Sequence, residues 1–358
     1  MDQLTQPAAD GLASPPQSAP FSFTGSGREY FGIWIVNLLL SIVTLGIYSA
    51  WAKVRRTKYF YNNTQVAGAS FDYHGNPIAI LKGRFVALML IIMYQLAIRE
   101  SGVIAALMLL AVTFASPWLI WKSLQFKLYN SSYRGIRFGF RGTLRAVYKV
   151  YLLLPLLCGL TLFLLTPFAH QRLKKFQHEE SRFGTTHFSF GASVGKFYKV
   201  YALAFFVWLA GVIAISIVFS GSIAALAGLK HPAMRSAAVT GLMTYLFVLY
   251  VWLFLLFPIF NTLIQNLIWN HTQLGQHHFR CEMKWTRVVF IALTNILGVI
   301  CTLGLFTPFA RIRMMRYRIG SMTMLPASSL DEFVAATQAE ASATGEGVAD
   351  LLDFDLSL

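Results

Sequence analysis

Charge is what this sequence is short of. Asp, Glu, Lys and Arg together make up 13% of its 358 residues, about half the share usual in a soluble domain. Acids are the scarcer sign, 15 against 30 Lys and Arg. The chain is 56% hydrophobic and 15% aromatic, more apolar surface than a soluble fold of this length can cover. Ordinary cytosolic enzymes, disordered proteins and collagen-like chains are therefore excluded. Cysteine is nearly absent: Cys158, Cys281 and Cys301 form no CxxC pair and no disulfide framework. No GxSxG, P-loop or HExxH occurs, so no nucleophile, acid–base pair or metal set points to an enzyme or a cofactor. His277-His278 with Cys281 lacks the spacing and the fourth ligand of a closed tetrahedral metal site. Intramembrane acids are missing as well, which argues against a proton-coupled pump.

What is present is apolar length. Mean hydropathy is +0.56, and apolar runs cover roughly 30–50, 83–98, 103–121, 146–167, 198–226, 237–264 and 286–308. About 20 apolar residues span a bilayer core as a helix. The expectation is an all-α polytopic membrane protein with about seven hydrophobic segments. Residues 1–20 are polar and rich in Pro, Ser and Ala, and read as a disordered arm rather than a cleavable signal peptide. Residues 21–325 are the transmembrane domain, and 326–358 read as an acidic, disordered tail holding seven acids and no Lys or Arg. The cations flank the apolar runs, which suits a cytoplasmic face and anionic lipid headgroups. No groove-entering or base-stacking module appears, so nucleic acid is not expected as a partner.

The chain repeats itself. A Phe-x-aromatic segment opens at Phe21, Phe71, Phe138 and Phe188, with a weaker copy at Phe279. Seven residues before each of the last four stands a hydroxyl: Thr64, Ser131, Ser181 and Thr272. Gly68, Gly135, Gly184 and Gly275 lie between hydroxyl and Phe, a hairpin signal. Thr64–Tyr73, Ser131–Phe140, Ser181–Phe190 and Thr272–Cys281 are thus four small β-hairpins. In three units the leading Phe precedes a Trp or Phe (Trp51, Phe168, Phe309) by 30 residues; in the other two it precedes Trp118 by 47 and Ile259 by 71. The reading is five degenerate repeats, alternately short and long, with β-hairpins between them.

If each short unit crossed the bilayer once, the Lys/Arg-rich segments 53–82 and 168–197 would face opposite sides, against the positive-inside rule. The conflict vanishes if each short unit returns, turning at Thr44-Leu45-Gly46, Gly159-Leu160-Thr161 and Thr302-Leu303-Gly304. All hairpins then share the cytoplasmic face and can join in one small sheet. Plain single crossings with a looser charge rule are the alternative.

Aligning the units superposes Thr44, Thr161 and Thr302, and likewise Asn37 and Asn295. These five are a candidate polar lining around a pathway, against the plainer reading of interhelical hydrogen bonding or helix back-bonding. Arg55, Lys122, Arg172 and Arg313 each follow the Trp or Phe by four residues. They are candidate contacts for an anion or a lipid headgroup, against the plainer reading of snorkelling anchors.

Phe21-Ser22-Phe23-Thr24-Gly25 with Arg28-Glu29-Tyr30-Phe31, Thr44 through Ala52, Asn270-His271-Thr272 and Thr302 through Pro308 resemble the YjgN family of bacterial inner-membrane proteins. The resemblance covers about residues 21–320. It implies the bacterial cytoplasmic membrane and several spans, and it brings no substrate, cofactor or catalytic residue. Two functions are weighed. One is transport or permeation of a small solute, an anionic one included, or of a lipid, by analogy with repeat-built transporters. The other is a membrane scaffold or regulator that binds a protein partner through its hairpins and acidic tail.

Overall fold

The computed structural model describes residues 18–221 and 232–343. The end of the 198–226 run, Lys230-His231, most of the N-terminal arm and the last part of the acidic tail lie outside those residues.

Eleven strands form one sheet: β1 (Ala19–Pro20), β2 (Ser22–Phe23), β3 (Thr64–Val66), β4 (Ala69–Tyr73), β5 (Ser131–Tyr133), β6 (Ile136–Phe140), β7 (Ser181–Phe183), β8 (Thr186–Phe190), β9 (Thr272–Leu274), β10 (His277–Cys281) and β11 (Met322–Leu325). Their spatial order is the chain order from β2 to β11, and β11 then pairs with β1. β1 and β2 are two halves of one strand, Ala19–Phe23. The first half pairs with β11 and the second with β3, and Phe21 N donates to Met322 O at 2.9 Å between them. The sheet therefore closes on itself as an antiparallel barrel and has no free edge.

The four hairpins expected from the sequence are four of the strand pairs. Their turns need left-handed backbone: Ala67 and Gly68 have φ of 47° and 73°, Arg134 and Gly135 of 47° and 80°. That is the I′ geometry of a two-residue hairpin loop. The expectation of an all-α chain is corrected here. The strands are too short to stand alone, yet paired side by side they make a closed sheet.

The other rim carries the helices, which come in pairs: α1 (Gly27–Val43) with α2 (Ser49–Asn62), α3 (Pro77–Glu100) with α4 (Gly102–Tyr129), α5 (Leu144–Tyr148) and α6 (Leu154–Leu160) with α7 (Thr166–Glu179), α8 (Val194–Val218) with α9 (Pro232–Trp269), and α10 (Trp285–Cys301) with α11 (Thr307–Gly320). A π turn, Lys149–Leu153, joins α5 to α6. Each pair leaves one strand and re-enters the neighbouring one, so both ends stand on the same rim. Pro167 and Pro308 lie in the first turn of α7 and α11, while Pro117 and Pro258 interrupt α4 and α9. All four stand fourteen residues before the start of the next strand. Proline suits a helix start and breaks one ladder bond inside a helix. The long pairs thus carry the short pair's second helix with extra apolar length ahead of it.

Among the described residues four helices are long and apolar enough to cross a membrane: Pro77–Glu100, Gly102–Tyr129, Val194–Val218 and Ala238–Trp269. The runs 30–50, 146–167 and 286–308 are instead short helical pairs. Their tips are apolar and bare: Leu45, Leu162 and Leu303 are 94%, 84% and 95% exposed.

Helix α12 (Leu330–Ala343) falls in the segment expected to be a disordered tail, and β1 begins within the expected N-terminal arm. α12 lies across the turn-side rim of the barrel. Phe333 stacks on Phe183 at 6.2 Å and meets His277 edge-on at 4.4 Å. Val334 and Thr337 are buried, and Asp331 pairs with Arg134. Gly184, at φ +55°, comes so close to Thr337 that a Cβ would lie 2.6 Å from its Cγ2. His277 accepts the Ala327 N–H at 3.2 Å, so its ring serves this contact.

Candidate functional site: the barrel axis

The cross-strand register brings the repeated residues together. Phe23, Tyr73, Phe140 and Phe190 lie opposite Thr64, Ser131, Ser181 and Thr272. The four hydroxyls donate back to Phe60 O, Lys127 O, Gln177 O and Ile268 O at 2.6–2.8 Å. Each brings a donor to a carbonyl in the last turn of a helix, where a strand begins.

The five leading phenylalanines form a closed ring inside the barrel. Centroids are 6.5 Å apart for Phe21–Phe71, 6.4 Å for Phe71–Phe138, 6.4 Å for Phe138–Phe188, 6.5 Å for Phe188–Phe279 and 6.3 Å for Phe279–Phe21. Neighbouring planes differ by only 11–40°. Upright panels around a five-fold axis would each be turned by a fifth of a circle, so these rings lie nearly flat across the axis. They line a cavity of about 490 Å³ with almost wholly apolar walls. Phe333 and Val334 of α12 line it too, at the turn-side rim. At the helix-side rim Tyr61, Leu128, His178, Trp269 and Ile319 line it, each three residues before the next strand begins.

Lys127 stands at that upper rim. Burial, and then the charges of Arg84, Arg56 and Lys127, hold the Lys53 pKa below its usual value. Burial and then Lys127 do the same for Lys174. Burial, with a smaller push from Lys174, lowers His170 and His178 each to about 4. His178 is packed between Phe190 and Trp269, and its Nδ1 lies 3.3 Å from Thr272 Oγ1.

The residues singled out from sequence lie elsewhere. Thr44, Thr161 and Thr302 occupy the helical tips, where their hydroxyls donate to Leu40 O, Leu157 O and Gly298 O at 2.7–2.9 Å and accept from Tyr48 N, Leu165 N and Phe306 N. Asn37 is buried with its Oδ1 unpartnered. Asn295 ties α10 to α11 through Ala310 O at 3.1 Å and accepts from Arg313 at 3.0 Å. Lys122 and Arg172 lie over Trp121 and Phe168 at 5.1 Å, and Arg55 is exposed. Arg55, Lys122, Arg172 and Arg313 are all nine residues before the next strand begins, two positions from the seven-before row that carries Met315 on the lining. Two positions are more than half a turn of helix, so that row faces away from the axis. Lys53, Lys127 and Lys174 were missed because they stand at three different offsets, and an alignment of equivalent positions passes over them. Among the described residues no three His, Cys, Asp or Glu side chains gather as metal ligands.

Paired helices rooted on one rim of a closed sheet, four of those among the described residues long and apolar enough to span a bilayer, define a helical integral-membrane protein. Residues 18–351 match the family described as a bacterial protein of unknown function (DUF898), and the chain belongs to that family. It is similar to the inner membrane protein YjgN of Escherichia coli O157:H7, 31% identical over 149 residues. It is also similar to YjgN of E. coli strain K12, 32% identical over 152 residues, and of Salmonella typhimurium, 31% over 151. Each match covers 40% of this chain and 36% of the relative's length, so the matched stretch is little more than a third of those proteins. No solved structure gives a significant match. The protein is a multi-pass protein of the bacterial inner membrane.

Proposed function

We propose that this protein provides a permeation path for a small anionic solute or lipid along the barrel axis, and that it is not an enzyme. The carrying observation is the closed strand ring around an apolar axial cavity, cationic at its membrane-side rim and capped by α12 at the other. The reading takes the chain as five degenerate copies of one unit, which the five-phenylalanine ring and the fourteen-residue proline spacing support. A ring of flat phenylalanines is a hydrophobic constriction of the kind that gates by excluding water. The short helical pairs enter the bilayer and return, with Leu45, Leu162 and Leu303 in its hydrocarbon. The barrel then lies in the cytoplasm beside the cation-rich second helices, in keeping with the positive-inside rule. The outward row from Arg55 to Arg313 rests against anionic headgroups. The seating of Phe333 on Phe183 and His277 favours a closed gate over a tail free to capture a partner protein.

The test is efflux from liposomes loaded with a fluorescent anion. The intact chain should leak slowly. Phe333→Ala combined with Asp331→Ala should leak at least tenfold faster, with anions preferred over cations of equal size. If neither form exceeds empty liposomes, the permeation reading is wrong.

A further inference from the structure

The cavity and the lysines above it have a shape that narrows what can occupy them. Lys127 lies on the lining itself. Lys174 of α7 stands seven residues before its strand, the position from which Met315 of α11 lines the cavity. Lys53 stands eleven before its strand, one turn farther up the same face of α2. The three thus step upward from the rim, each from a different helical pair. Lys53 and Lys127 are exposed and Lys174 is half-buried. Among the described residues no carboxylate pairs with any of them, and Gln177 Oε1, 3.2 Å from Lys174 Nζ, is the one polar side-chain contact recorded. Like charges gathered beside an apolar chamber repel one another and favour a shared counter-charge.

Below them the chamber offers almost no polar group. Its volume of about 490 Å³ lies in the range of small-molecule sites. A pentagon with sides of 6.3–6.5 Å sets each ring centre roughly 5.4 Å from the axis, and carbon atoms meet at about 3.5–4.0 Å. With the ring edges turned inward, one extended alkyl chain fits through and two do not.

We propose that the chamber and Lys53, Lys127 and Lys174 form one binding site for a single-chain amphiphile with an anionic head, the chain lying along the axis through the phenylalanine ring and the head held by the three ammonium groups. This rests on the permeation reading and names its substrate class. A carboxylate and a phosphate monoester head meet the same requirement. Apolar walls supply the affinity, at about 25 cal/mol per Å² of chain surface buried. The lysines supply selectivity for charge and fix which end points down.

Trp269 on the cavity wall reports occupancy. The intact protein in phosphatidylcholine nanodiscs is titrated with dodecanoic acid brominated at a carbon near its head, the end held at the Trp269 rim, and Trp269→Phe identifies that residue's share of the quenching. The acid should quench Trp269 saturably. Brominated dodecanol, of the same length but neutral, should need at least tenfold more. The triple variant Lys53→Gln, Lys127→Gln, Lys174→Gln should weaken the acid at least tenfold and leave the alcohol unchanged. Millimolar inorganic phosphate should not displace the acid, whereas dodecyl phosphate should. Equal quenching by acid and alcohol, quenching without saturation, or displacement by inorganic phosphate overturns the inference. The acid-against-alcohol comparison uses unaltered protein, so it stands if a variant fails to fold. Anion efflux without amphiphile binding sinks this inference alone; binding without any efflux sinks the permeation reading and leaves the site.

Discussion

Phe21 and Phe279 stand 6.3 Å apart, centroid to centroid, though 258 positions separate them in sequence. Their contact completes the aromatic ring, and each is 9% exposed. Phe279→Ala should lower stability by about 3 kcal/mol or more, the usual cost of emptying a buried aromatic site. A thermal melt in detergent measures it. The same variant should leak faster than wild type in the liposome assay, because the constriction loses one of its five blades.

The helical tips give a topology prediction. In a cysteine-free background, Leu45→Cys, Leu162→Cys and Leu303→Cys should resist a membrane-impermeant maleimide added from either side. His187→Cys, exposed on the barrel wall, should label from the cytoplasmic side. Labelling of any tip from the periplasm contradicts the returning pairs.

Protons should weaken the fold in a defined window. His170 and His178 hold folded pKa values of about 4 against about 6.5 in an unfolded chain. The folded state favours the neutral rings, so their contribution is full above pH 6.5 and is lost as pH falls from 6.5 toward 4. The melting midpoint should drop between pH 7 and pH 5. His178→Gln should flatten that slope, and parallel slopes for variant and wild type would count against this account.

Capping hydroxyls should matter singly but modestly. Thr272 is 1% exposed and donates to Ile268 O at 2.8 Å. Thr272→Val keeps the shape and leaves that carbonyl with the His271 N–H alone, at 3.2 Å, at a cost of about 1 kcal/mol. Denaturant titration in mixed micelles checks it.

The α12 clamp should depend on the aromatic contact more than on the ion pair. The Asp331 side chain is 85% exposed, and exposed pairs contribute about 0–1 kcal/mol. Phe333→Ala should therefore expose residues 326–343 to limited proteolysis far more than Asp331→Asn does.

Much of this architecture is readable from spacing. Phe21, Phe71, Phe138, Phe188 and Phe279, the five that meet in the aromatic ring, each open a recognisable aromatic segment in the sequence, and the hydroxyl–glycine–phenylalanine interval marks each hairpin. What those intervals cannot reveal is which strand meets which. Thr64 pairs not within its own hairpin but with Phe23 of the unit before, and only that register turns separate hairpins into a barrel. Thr44 was legible as a repeated position but not as a cap, because lining and back-bonding call for the same residue type. The lysines at the rim were hidden for another reason: they stand on different helical turns, four, seven and eleven residues before their strands. α12 was hidden by its composition, since an acidic, alanine-rich stretch reads as solvated until Phe333 and Val334 are seen to have a surface to cover.

The strand Ala19–Phe23 is the seam of the barrel, and its partner Met322–Leu325 follows about 300 residues later in the chain. Until that segment is made, the early strands wait with an open flank. Insertion of the helices can proceed pair by pair, but sealing is a single late event. The nascent chain should accordingly depend on a holding factor or on rapid completion, and ribosome stalling shortly before codon 322 should leave it prone to strand exchange with its neighbours.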